Sequence, residues 1–157
     1  MTEIQLVEPD SVEQWAVARR LVEEYYASLH VDLGFQGIEN EIDHLAQEYC
    51  SPSGCFLLAE ADGQWLGCIA LRRFDEGVCE MKRLYVMPEG RGRGLGRVLT
   101  EAIIARARGL GYKRMVLDTL PFMKDAQALY RSLGFEPTSP YRYNPIPGSA
   151  FLALKLE

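Results

Sequence analysis

The sequence predicts a single α+β (mixed α/β) domain: a mixed, mostly antiparallel sheet with one parallel strand pair, flanked by about four helices. Three observations lead there. The chain has 157 residues, 48% hydrophobic and 25% charged, the balance of one soluble domain with a core of its own. Residues 56–87 hold three apolar segments joined by short turns, which reads as an antiparallel meander. Residues 78–118 then run strand, helix, strand, and a helical crossover between neighbouring strands makes them parallel.

Residues 4–8 read as a short strand. Asp10 or Ser11 is a suitable N-cap for an amphipathic helix with Trp15, Ala18, Leu21, Val22 and Tyr25 on one stripe. A second helix is expected over residues 38–49, with Ile42, Leu45 and Ala46 at helical spacing, and Pro52, Ser53 and Gly54 stop it. The meander strands fall at 56–60, 65–73 and 78–87; Asp62-Gly63 and Glu76-Gly77 supply the turns, and Pro88 ends the third strand. A third helix follows over residues 95–110, with Leu95, Val98, Leu99, Ala102, Ile103 and Leu110 on its apolar face and Gly109 and Gly111 at its end. Residues 115–118 form a short buried strand. Pro121 opens a fourth helix with Phe122, Ala126, Leu129, Tyr130 and Leu133 in register, closed by Gly134. A last strand covers residues 150–156.

Charge is unevenly distributed. Residues 1–81 carry 16 acidic and 4 basic side chains, net −12, whereas residues 82–114 carry 9 basic and 2 acidic, net +7. An acidic chain with one basic stretch excludes a general nucleic-acid coat, and no nucleic-acid partner is expected; it suggests a local anion site. No apolar run reaches the ~20 residues of a membrane span, and the first residues lack the pattern of an export signal. The expected location is cytoplasmic, with no membrane partner. Cys50, Cys55, Cys68 and Cys79 form no Cys-x-x-Cys pair and the two histidines stand apart from most of them. Buried free thiols are expected, and no metal site.

The basic stretch contains Arg91-Gly92-Arg93-Gly94-Leu95-Gly96-Arg97 between a strand and a helix. Three glycines bring backbone close to a ligand where the first N–H groups of a helix have no partner within it, and guanidinium groups pair with phosphate oxygens. A phosphate-bearing ligand is therefore expected at this turn. A P-loop would need Lys-Ser or Lys-Thr, which the chain lacks. A dinucleotide fold remains a competitor, because Asp118 ends the next strand 22 residues beyond Gly96; against it, Arg97 stands where the third glycine belongs and only 39 residues follow Asp118. Coenzyme A is the third candidate.

Here the chain resembles the GNAT superfamily of acetyl-CoA-dependent N-acetyltransferases. Arg91, Gly94 and Gly96 match its Gln/Arg-x-x-Gly-x-Gly/Ala signature, and Leu84, Tyr85 and Val86 resemble the strand that pairs with pantetheine. A second motif is matched by Ala126, Tyr130, Gly134 and Phe135. The resemblance implies the GNAT fold with a splayed parallel pair and acetyl-CoA as donor substrate, held by Leu84 to Val86 and by the turn Arg91, Gly92, Arg93, Gly94, Leu95, Gly96 and Arg97. It also implies a homodimer as one assembly. Met123 stands where many members carry an Asn, so that residue's role is not carried over.

Acyl transfer from a thioester to an amine needs a base for the ammonium, a polarised carbonyl and a proton for the thiolate. Glu80, on the central strand 11 residues before Arg91, is the candidate base, at the offset used by histone-acetylating members; a water chain is the alternative. Tyr130 is the candidate acid, and backbone N–H groups near Leu84 to Val86, in a strand bulged there, are candidates to polarise the carbonyl. Cys79 as a covalent carrier is weaker, because no histidine is nearby in sequence to activate it. The acidic first half favours a cationic amine by steering. Tyr25, Tyr26, Phe35, Tyr141 and Tyr143 come from segments that line acceptor clefts in related folds, and Arg142 is a candidate for a substrate carboxylate. The acceptor is read as a small-molecule or peptide amine, acetylated by direct transfer in a ternary complex. The alternative is a non-catalytic domain that binds coenzyme A as a sensor.

Overall fold

The computed structural model describes residues 3–34, 37–50 and 52–157. In chain order the elements are β1 (Gln5–Val7), α1 (Val12–Leu29), α2 (Ile38–Asp43), α3 (Leu45–Glu48), β2 (Cys55–Ala61), β3 (Gln64–Asp75), β4 (Val78–Val86), a 3-10 turn (Pro88–Gly90), α4 (Leu95–Gly109), β5 (Arg114–Thr119), α5 (Lys124–Ser132), β6 (Glu136–Pro137) and β7 (Ala150–Lys155). The strands form one sheet in the order β1-β2-β3-β4-β5-β7-β6.

Alternation along the strands divides the core. In β2, Cys55, Leu57, Ala59 and Ala61 pack with Leu95, Leu99, Ile103, Ile104 and Ala107 of α4. The intervening Phe56 and Leu58 pack on the opposite face with Ala18, Leu21 and Val22 of α1 and with Ile38, Leu45 and Tyr49. A sheet buried on both faces by helices explains why its central strands read as near-continuous apolar runs. Ser11 caps α1, its Oγ accepting from the Gln14 N–H at 3.1 Å, as its residue type predicts.

Two helices depart from the sequence reading. The expected helix over 38–49 breaks at His44. The His44 N–H bonds to the Glu41 carbonyl at 2.9 Å, and its ring Nδ1 lies 2.8 Å from the Asn40 carbonyl that the backbone would otherwise have used. The fourth helix starts at Lys124, not Pro121. Leu120 to Met123 instead form a turn closed by Met123 N–H to Leu120 carbonyl, 3.1 Å, which leaves Phe122 half exposed.

Two irregularities in β4 create the space for a site. Its parallel pairing with β5 covers only Val78, Cys79 and Glu80 against Arg114, Met115 and Val116; beyond these, the two strands part. Against β3, Tyr85 is opposite Cys68 and Lys82 opposite Ala70. Three steps on β4 therefore match two on β3, a bulge of one residue. Arg83 sits in the bulge with φ of 61°, in the left-handed region that a long side chain enters only when its surroundings enforce it.

Candidate active site

The enforcing partner is Glu41 on α2. Arg83 Nε donates to Glu41 Oε2 at 2.6 Å and Nη2 to Oε1 at 2.9 Å, and both side chains are buried. Burial alone would raise the Glu41 carboxyl, but the hydrogen bonds and charge of Arg83 prevail and hold it below its ordinary value. The bidentate pair fixes the bulge and ties the α2 segment to the central strand.

Beyond Glu80, the parting of β4 and β5 opens a cleft lined by Lys82, Arg83 and Leu84 on one lip and Leu117, Asp118 and Thr119 on the other, with Tyr25, Met123, Ala126, Tyr130 and Asn144 around it. A groove sharing Tyr25, Leu84, Met123 and Ala126 continues past Tyr85 and Val86 to Arg91 and Gly96. One channel thus connects the glycine turn with the gap in the sheet.

At the turn, Gly92 and Gly94 have φ of 81° and 76°, and a Cβ on either would meet open space. These positions need glycine for their backbone conformation, and the room beside them is what a ligand would use. The 3-10 turn delivers the chain to Gly94, the N-cap of α4. Arg91 lines the groove and donates from Nε to the Val86 carbonyl at 3.2 Å. The expectation of three guanidiniums on one anion is narrowed: Arg93 turns to Asp62 at 3.3 Å, and Arg97 donates to Ser132 Oγ at 2.8 Å. Leu95 is a core residue; only its backbone belongs to the turn.

Tyr130 reaches the cleft from α5, its ring 5.6 Å from that of Phe135, and burial pushes its phenol well above the ordinary value, so it is a donor at any physiological pH. Glu80 is in place on β4 but its carboxylate is enclosed. It has no exposed surface and accepts from Arg72 Nε at 3.2 Å, Tyr141 Oη at 2.7 Å and Arg142 Nη2 at 2.7 Å. The geometry therefore does not bring this expected base into the cleft. It also corrects the expectation for Arg142, whose guanidinium is engaged by Glu80 and not presented to a ligand. Tyr141 packs edge-on between Phe74 and Phe151, and Tyr143 is exposed. Phe35 lies outside the described residues.

Within the acidic first half, Glu41 and Glu80 are buried and Arg72 bridges Glu48 and Glu80, whereas Glu13, Glu23, Asp32, Glu39 and Asp43 are exposed. Cys55, Cys68 and Cys79 are buried, whereas Cys50 is exposed, a departure from the expectation of four buried thiols. Burial raises the Cys79 thiol to about 12, which removes the thiolate a covalent carrier needs. Among the described residues no cluster of three or more His, Cys, Asp or Glu could hold a metal ion, and no helix is long and apolar enough to cross a membrane.

Lys82 is not among the site residues expected from the sequence, and Asp118 is one only as a ribose ligand. The signal for Lys82 was there: Glu80, Lys82 and Arg83 interrupt a central strand whose other positions are mostly apolar, and buried charge in mid-strand needs a reason.

The model of the acetyltransferase (GNAT) family matches residues 15–135. An uncharacterized N-acetyltransferase of Schizosaccharomyces pombe is 44% identical over 141 residues, spanning 88% of this chain and 86% of that protein. Among solved structures, an acetyltransferase of the GNAT family from Staphylococcus aureus Mu50 has a TM-score of 0.81 at 18% identity, covering 99% of this chain and 100% of the other. The PaiA N-acetyltransferase of Thermoplasma acidophilum, solved with coenzyme A, has a TM-score of 0.73 at 18% identity, covering 98% and 99%. At that identity the two structures speak for the fold.

Proposed function

Since the chain belongs to the acetyltransferase (GNAT) family and is an N-acetyltransferase, we propose that it moves the acetyl group of acetyl-CoA directly to a primary amine of a small molecule or peptide, both substrates being bound together. The observation that carries this reading is the single channel joining the Arg91–Gly96 turn to the gap between β4 and β5. Two substrates entering from its two ends meet beside the bulge.

The donor fits the residues present. The left-handed Gly92 and Gly94 leave open space beside the turn, and the unpaired N–H groups of the first turn of α4 suit phosphate. Acetyl-CoA supplies an activated acetyl thioester; in the net reaction a C–S bond breaks, an N–C bond forms, and the ammonium gives up two protons in becoming the amide, one ending on the thiol and one in solvent. Tyr130, a protonated phenol on the cleft wall, is assigned the donation to sulfur. The backbone N–H groups at Leu84 to Val86, turned by the bulge, are assigned to the developing oxyanion. Glu80 acts as a positioning residue: through Tyr141 and Arg142 it anchors the segment between β6 and β7 over the acceptor end. Asp118, whose carboxylate lines the cleft, orients the ammonium, and cleft water carries away the proton.

A thiol-release assay with acetyl-CoA across polyamines, amino acids, aminoglycosides and peptide N-termini tests the reading. Release with at least one amine, saturable in both substrates and giving intersecting double-reciprocal lines, is the expected result. Parallel lines, as a covalent relay gives, would rule out direct transfer.

A further inference from the structure

We propose that the acceptor is an α-amino acid or a similarly small amine bearing a carboxylate, with Lys82 holding the carboxylate and Asp118 the amine across the gap between β4 and β5. This rests on the acetyltransferase reading and deepens it.

The register makes the pairing. Glu80 and Val116 are the last partners of the parallel ladder, so Lys82 and Asp118 each stand two residues beyond it, one on each lip. Side chains two apart share a face, and paired parallel positions share it too. The intervening Met81 and Leu117 belong to the core on the α4 side, which leaves Lys82 and Asp118 on the other side, where both line the same cleft. A cation and an anion on opposite lips match an ammonium and a carboxylate joined by one or a few carbons.

The surroundings favour an anion beside Lys82. Among the described residues, the charged groups that act on it most are Arg83 on its own strand, Glu80, Arg72 on β3 and Arg142 on the segment before β7. Arg83 is engaged by Glu41, Arg72 by Glu48 and Glu80, and Arg142 by Glu80, so none of the three guanidiniums is presented to a ligand. Their charges nevertheless reach Lys82 and outweigh that of Glu80. Burial first, and these cations second, bring the Lys82 ammonium down to about 7; a carboxylate laid against it restores the charged form. On the other lip, Asn144 Nδ2 donates to Asp118 Oδ2 at 3.1 Å and orients the carboxylate toward the cleft's amine.

The test compares matched pairs in the thiol-release assay at pH 7.5: leucine with 3-methylbutylamine and phenylalanine with phenethylamine, with the amino-acid amides as controls. The expected result is a kcat/KM about 10- to 100-fold higher for the amino acid than for its decarboxylated partner, the scale of one charge-assisted hydrogen bond in a buried site. Lys82→Met, whose side chain fits an apolar version of the same space, brings that ratio to within a few-fold of one. Asp118→Asn lowers kcat/KM for both members of each pair and keeps the ratio. Thermal melting and acetyl-CoA affinity of the variants verify that each is folded. Equal or better turnover of the decarboxylated amines by the unmodified protein, or an unchanged ratio in Lys82→Met, overturns the proposal. Absence of thiol release with every amine and amino acid, while acetyl-CoA still binds, overturns the acetyltransferase reading itself and this inference with it.

Discussion

The two ends of the channel are built by opposite means. The donor end is a turn of backbone: two left-handed glycines, the start of one helix and a single groove-lining arginine, all within residues 91–97. The acceptor end is assembled from side chains on α1, β4, β5 and the segment before β7, and it is braced behind by the ion pairs of Glu41, Glu48 and Glu80. A ligand common to many enzymes can be held by groups that no substitution removes. A ligand particular to one enzyme calls for side chains, and buried charged side chains must be partnered. The acceptor end is therefore part of the protein's stability, and the donor end largely is not.

Substitutions can break or sharpen this contrast. The largest effect is expected from Arg83→Met, which strands the buried Glu41 carboxylate and should cost about 3–5 kcal/mol of unfolding free energy in urea. Arg91→Ala at the donor end should leave the urea midpoint unchanged and instead raise the donor KM, more so at low salt. If Arg83→Met proves as mild as Arg91→Ala, the contrast is lost. Next, Tyr130→Phe should lower kcat by about 10²-fold or more at pH 7 with acetyl-CoA affinity retained; a fall in affinity alone would place the phenol in binding. Gly94→Val forces a β-branched residue into the left-handed region, and a strain of about 1–2 kcal/mol should weaken acetyl-CoA binding roughly tenfold in a titration while the melting temperature shifts by only a few degrees.

The smallest effect is the most specific. Lys82 has a folded pKa of about 7, below the ~10.4 of an unfolded lysine. Between those values the unfolded chain binds the extra proton, so this group makes stability rise with pH across that window and costs most below it. Relative to the unmodified protein, Lys82→Met should therefore be more stable at pH 6 than at pH 9. A constant difference across that range, measured by urea unfolding, would contradict a buried and weakened ammonium.

How much of this was legible in the sequence follows the same division. The meander, the crossover and the glycine turn were readable because each depends on residues adjacent in sequence: alternation for the strands, helical spacing for α4, and glycine where the backbone must turn. The break at His44 and the late start of α5 were not, because a ring nitrogen near Asn40 and a turn through Leu120 to Met123 compete with helix formation only in a particular local geometry. The acceptor end was the least legible. An offset shared with histone-acetylating members of the family made Glu80 look like a base and residue type made Arg142 look like a carboxylate ligand, and only tertiary contact shows that each is engaged by the other. That Lys82 and Asp118 confront one another depends on where a parallel ladder stops, which no local pattern encodes.

The bulge at Arg83 also sets an arithmetic for sequence change. Upstream of it the even-numbered Glu80 and Lys82 face the α1 side of the sheet; downstream the odd-numbered Tyr85 does, packing against Tyr25 at 6.2 Å, while Leu84 and Val86 join the α4 side. The extra residue is a phase shift between the half of β4 that meets one substrate and the half that meets the other. Deleting it would leave composition, charge pattern and motifs almost untouched and yet turn one half of the strand inside out. Along this strand, tolerated insertions and deletions should come in compensating pairs, and length, more than residue identity, is what lineage after lineage would have to keep.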